Sequence, residues 1–117
     1  MVEKPVFLQG AFGFSGTGLD KPSAFKPALS YKVPFDKRAQ LVYFRAGNAS
    51  AELIYVVLMR DSKPMRYFPI GAKGATHVEL AVVEDLQPDT VLEVVLAAPE
   101  GLSDSVLLDM GLVEIEA

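Results

Sequence analysis

The chain has no cysteine, no tryptophan and a single histidine among its 117 residues. Without thiols there is no disulfide scaffold, zinc–thiolate site, iron–sulfur cluster or cysteine nucleophile. The carboxylates are scattered singly apart from Glu84-Asp85, and neither they nor the lone histidine reproduce a metal-ligand or calcium-loop spacing. No cofactor is expected. Long apolar runs are missing as well: the longest, residues 53–59, is far short of the roughly 20 residues that cross a bilayer, so no membrane insertion is expected. The opening Met-Val-Glu-Lys-Pro carries no basic segment ahead of an apolar stretch and cleavage site, which points to a cytoplasmic protein. No window of 11 or more residues keeps a helical period, which predicts little or no helix.

Positive charge is absent from the second part of the chain. Residues 1–73 hold all 11 Lys and Arg with five acids, whereas residues 74–117 hold ten acids and no base. The net charge of −4 and pI near 4.9 argue against nucleic acid as a partner. The +6 and −10 halves allow two arrangements. Their strands interleave and neutralise one another, or the charges segregate and favour head-to-tail contacts between copies.

What is present is β-forming. Half the residues are apolar and 22% are charged, which excludes intrinsic disorder and fits one domain over residues 1–117. Runs rich in Val, Leu, Ile, Phe and Tyr lie between Gly and Pro breaks, near 6–12, 28–34, 38–46, 52–60, 64–70, 75–82, 90–98 and 105–115. This predicts an all-β fold, an antiparallel β-sandwich or flattened barrel of about eight short strands. A short turn is expected at 81–86. Hairpin turns are expected at Gly47-Asn48, Asp61-Ser62-Lys63-Pro64, Gly71-Ala72-Lys73-Gly74 and Pro99-Glu100-Gly101.

Residues 10–27 do not fit that rhythm. Gly10, Gly13, Gly16, Gly18, Pro22 and Pro27 alternate with Phe12, Phe14 and Phe25. The segment reads as a Gly/Phe/Pro-rich arm or loop that either folds its rings over its own sandwich or docks them on a neighbour. The Gly13-Phe14-Ser15-Gly16-Thr17-Gly18 run lacks the Lys and the following helix of a phosphate loop. Asn48-Ala49-Ser50 matches a glycosylation acceptor but reads as turn chemistry.

Catalysis finds little support. His77 sits in Ala75-Thr76-His77-Val78-Glu79-Leu80, where alternation turns His77 and Glu79 to solvent; a non-enzymatic protein is expected. Arg66, Tyr67, Lys73 and His77 are the candidate ligand-binding residues, basic and aromatic groups able to grip an anion or stack a ring. Self-association is the leading expectation. Residues 53–59 are apolar at every position, and 91–98 and 106–113 nearly so, the mark of strands buried on both faces. A two-layer domain leaves its outer face for another copy to cover. Ile54, Val56 and Leu58, with Phe12, Phe14 and Phe25, are the candidate contact residues. Closure gives a homo-oligomer, failure to close a filament.

A resemblance adds a second expectation. Tyr43-Phe44-Arg45-Ala46-Gly47-Asn48, the Asp61-Ser62-Lys63-Pro64 turn, Tyr67, Pro69, Thr76-His77-Val78 and Glu84-Asp85-Leu86 resemble the core of the sensory rhodopsin transducer family, over roughly residues 42–86. That resemblance implies a small β-sandwich homotetramer acting as a signalling or regulatory adaptor, recognising a sugar, DNA or a partner protein. Pro64-Met65-Arg66-Tyr67-Phe68-Pro69 and Val82-Val83-Glu84-Asp85-Leu86 are more faintly similar to short bacterial proteins described as molybdopterin oxidoreductases. That likeness would imply an accessory partner of an oxidoreductase.

Overall fold

The computed structural model describes residues 3–80 and 84–117. Nine strands run through them: β1 (Lys4–Ser15), β2 (Ser23–Lys32), β3 (Lys37–Asn48), β4 (Ile54–Arg60), β5 (Lys63–Ile70), β6 (Ala75–Glu79), β7 (Asp85–Leu86), β8 (Val91–Ala97) and β9 (Ser103–Glu116). They form two antiparallel sheets. Sheet A has the order β1-β9-β3-β6 with β7 also paired to β3, and sheet B the order β2-β8-β4-β5. Six of the eight connections cross from one sheet to the other, leaving only β4–β5 and β6–β7 within a sheet. This alternating order is the double Greek key of a jelly roll.

Several expected turns take a different part. Asp61 and Ser62 both adopt positive φ and close the β4–β5 hairpin, as their position suggests. Gly71–Gly74 and Pro99–Gly101 instead carry the chain between sheets, and Gly47 and Asn48 lie inside β3. Asp85 and Leu86 pair with β3 as a short strand, while residues 81–83 of the expected 81–86 turn lie outside the described residues. The Gly/Phe segment is largely strand rather than arm: β1 runs to Ser15 and β2 starts at Ser23.

The core lies between the sheets. Phe44 of β3 stacks on Phe68 of β5, ring centroids 3.9 Å apart and 7° from parallel. Leu41, Leu108, Met110 and Leu112 of sheet A meet Leu92, Val94 and Leu96 of sheet B in one cluster. Ile54, Val56 and Leu58 belong to it, each fully buried, so they are core residues and not the contact face proposed from the pattern. A strand apolar at every position carries no period to say which parity faces inward. Tyr55, Val57 and Met59 take the outer side instead, and Val57 and Val95 there are already buried within the single chain.

The three phenylalanines also turn inward. Phe25 is buried, and Phe12 and Phe14 are half-buried against the core. Phe12 and Phe25 join the two sheets across their edge strands, centroids 5.0 Å apart. They are therefore closing one side of their own sandwich. The charge split resolves the same way. β9 lies between β1 and β3, and the ion pairs Arg38–Asp85, Arg66–Glu84 and Arg45–Asp109 each join a base from residues 1–73 to an acid from 74–117. Strands of the two halves thus interleave, and at these three pairs their opposite charges meet.

Candidate functional site

The outer face of sheet A carries the most organised polar chemistry of the chain, and a bulge creates it. Between Leu41 and Tyr43 the β3–β9 register slips by one residue. Ala39 and Leu41 point inward before the slip, Phe44 and Ala46 after it. The extra residue, Val42, turns Tyr43 and Arg45 out to solvent without surrendering a core position.

Register then assembles a row across four strands. Gln9 of β1 lies opposite Asp109 of β9, Asp109 opposite Arg45 of β3, and Arg45 opposite His77 of β6. Asp109 is the hub. Its Oδ1 accepts from Gln9 Nε2 at 3.0 Å and from the Tyr43 hydroxyl at 2.8 Å, and its Oδ2 accepts from Arg45. The Arg45 guanidinium also lies 5.6 Å from the Tyr43 ring centroid, and His77 meets that ring edge-on at 6.3 Å.

The neighbouring rows shape the surface. Tyr43 lies across Gly111, where an added Cβ would sit 2.1 Å from the ring. Leu107 stands between Ala11, Gly47 and Ala75 in register, 61% exposed because its neighbours are small. Two depressions flank His77. One, of about 540 Å³, is lined by Arg45, Gly47, Ala75, His77, Leu107 and Asp109, and the other, of about 500 Å³, by Val42, Tyr43, His77, Glu79 and Leu80.

The network sets its own titration. The Arg45 hydrogen bond, then those of Gln9 and Tyr43, hold the Asp109 carboxyl down at about 2, against 3.8 ordinarily. Burial first, and the Asp109 carboxylate second, push the Tyr43 hydroxyl up. A depressed carboxyl contributes its stability in full above the unfolded value and loses it as pH falls through the folded one. In a carboxyl-carbon NMR titration Asp109 should therefore remain mostly ionised at about pH 3, where ordinary aspartates are largely protonated. A midpoint at 3.8 or above would contradict the network.

The four ligand residues expected from sequence do not converge. His77 belongs to the face just described. Arg66 and Tyr67 lie on β5 of sheet B, Arg66 paired with Glu84 at 2.9 Å and Tyr67 62% exposed. Lys73 ties loops together, its Nζ donating to the Ala49 carbonyl at 2.7 Å. Gln9, Tyr43, Arg45, Asp109 and Gly111 are absent from the ligand residues expected from sequence, because register alone unites them. The available signal was the interruption of 106–113 at Asp109 and Gly111, two residues apart and so on one face.

This topology makes the chain a β-sandwich of the jelly-roll class. Solved structures of similar fold include the CBM36-1 domain of a multidomain xylanase from the hindgut metagenome of Trinervitermes trinervoides, with a TM-score of 0.55, 13% identity, and 97% of this chain and 98% of that one covered. Infectious bursal disease virus, Gx strain, gives a TM-score of 0.55 at 13% identity over 98% of this chain and 32% of the viral one. The VP2 subviral particle of the same virus gives 0.51 at 14% identity, over 98% and 33%. The chain thus spans about a third of the viral proteins it resembles. No protein-family model matches the sequence, and no curated protein does.

Proposed function

We propose that this protein is a non-enzymatic β-sandwich binding module that takes a neutral saccharide on the outer face of sheet A. The row Gln9–Asp109–Arg45–His77 carries the reading. A sugar offers vicinal hydroxyls, each both donor and acceptor, and an apolar C–H face. Carboxylate, guanidinium and carboxamide groups are planar and bind such pairs two bonds at a time, while the Tyr43 ring and exposed Leu107 serve the C–H face. Arg45 and Asp109 cancel each other, so the row holds no uncompensated cation to select an anion.

Support comes from two further sides. Both depressions fall within the size range of ligand sites, and their shared wall at His77 suits adjacent units of a chain. The CBM36-1 domain shows that a carbohydrate-binding module can have this fold. Against catalysis stands His77, which among the described residues makes no side-chain hydrogen bond or ion pair.

Affinity electrophoresis through gels containing a soluble β-glucan, a xylan or a galactomannan tests the reading. At least one neutral polysaccharide should retard the protein. Arg45→Ala should weaken that binding tenfold or more, about 1.4 kcal/mol, and Tyr67→Ala on the opposite sheet should leave it unchanged. Retardation by anionic polysaccharides alone, or by none, overturns it.

A further inference from the structure

The four edges of the two sheets are not equally protected. Edge strands invite pairing with other chains, and proteins blunt them with charge, proline, bulges or shortness. β2 carries Lys26 and Pro27 within its break in register between Ala24 and Leu29. β5 carries Lys63, Pro64, Arg66 and Pro69. β6 has only five residues. β1 differs from all three. It is 12 residues long, and after Pro5 it holds neither charge nor proline. Among the described residues it pairs with β9 alone.

We infer that β1 is a self-association edge, pairing antiparallel with β1 of a second copy across a two-fold axis. Its side chains favour one register, with Gly10 opposite the partner's Gly10. On the outer side Phe7, 55% exposed, then lies over the partner's Gly13, and Gln9 meets the partner's Ala11. On the inner side half-buried Leu8 meets the partner's Phe12, and Val6 the partner's Phe14. Every bulky outer residue faces a small one, and an aromatic ring over a strand glycine is a stabilising cross-strand pair. The uncharged stretch also lets two identical strands approach without like-charge repulsion. A strand-to-strand contact of this kind closes as an isologous dimer.

This inference rests on the edge and is independent of the saccharide reading. Its consequence is that sheet A continues through the axis, placing two outer faces side by side on one surface. A polymeric ligand could then engage both, raising avidity without any new contact.

Light scattering over a concentration series should give twice the 12.7 kDa chain mass. Ala11→Lys and Gly13→Lys should each return it to one chain mass. Both positions are exposed, and a Cβ at Gly13 would meet nothing within 4 Å, so the fold should survive, as circular dichroism can verify. Tyr67→Lys should leave the dimer intact. Amide hydrogen exchange over residues 6–14 should slow with rising concentration in the unaltered chain and stay constant in Ala11→Lys. A monomer at every concentration, or a dimer surviving both β1 substitutions, overturns the inference. Loss of the dimer through Tyr67→Lys would move the contact to sheet B and overturn it equally.

Discussion

Asn48→Asp is expected to destabilise the fold by about 3–5 kcal/mol, the usual result of an uncompensated buried charge. Asn48 is buried at the end of β3, where the chain leaves sheet A for sheet B. Its Nδ2 donates to the carbonyls of Glu52, Ile70 and Gly71 at 2.8, 3.1 and 3.0 Å. Its Oδ1 accepts from the Ser50 backbone N–H and hydroxyl at 2.9 and 2.7 Å. One carboxamide therefore binds together two of the inter-sheet crossovers, β3–β4 and β5–β6. A carboxylate oxygen in place of Nδ2 would face three carbonyl oxygens with no proton to offer. Domains of this size have roughly 5–15 kcal/mol in total, so the urea midpoint should drop by about 2 M for a slope near 2 kcal/mol per M. Asn48→Ala, which removes the bonds without adding charge, should lose less, about 2–3 kcal/mol. The introduced carboxyl should also have a raised folded pKa, so stability should recover as the pH falls toward about 4. Equal losses for Asp and Ala would refute this account.

The same residue shows what the sequence made legible. Apolar runs between Gly and Pro breaks located the strands, because a chain without helical period has few other ways to bury half its residues. Turn chemistry also located the bends at 61–64, 71–74 and 99–101, but not at Gly47-Asn48, which lies inside β3. It did not say whether the next strand stays in its sheet. Asn48 resembles a hairpin residue in sequence, yet its amide is an anchor between layers, a role decided by loops that approach it only in the fold. Ile54, Val56 and Leu58 were misplaced for a related reason: a strand apolar on both sides leaves the inward parity undetermined. Phe12, Phe14 and Phe25 were visible as an anomaly, but the Gly-rich background disguised strand as loop. The site was least legible of all, since Gln9 and Asp109 are 100 positions apart and Tyr43 faces outward only because of a one-residue bulge.

Gly111→Ala is expected to remove most of the ligand affinity while leaving a folded protein. Gly111 occupies the centre of β9, a position where glycine weakens a strand unless something approaches its backbone closely. Here that is Tyr43. An added Cβ would fall 2.1, 2.6 and 2.9 Å from three of its ring carbons, and the ring is half-buried on the outer face. The ring must lift. Its hydroxyl then loses Asp109 and its face loses Arg45, and the surface between the two depressions is rebuilt. Overpacking of this sort costs about 1–3 kcal/mol, well inside the stability of the domain because the ring has solvent to move into. Saccharide affinity should fall tenfold or more, and the Asp109 midpoint should rise from about 2 toward 3.8 as one of its three donors leaves. The double variant Gly111→Ala with Tyr43→Ala should restore stability, the clash being gone, without restoring affinity. If Gly111→Ala binds as the unaltered chain does, the outer face of sheet A is not the ligand surface.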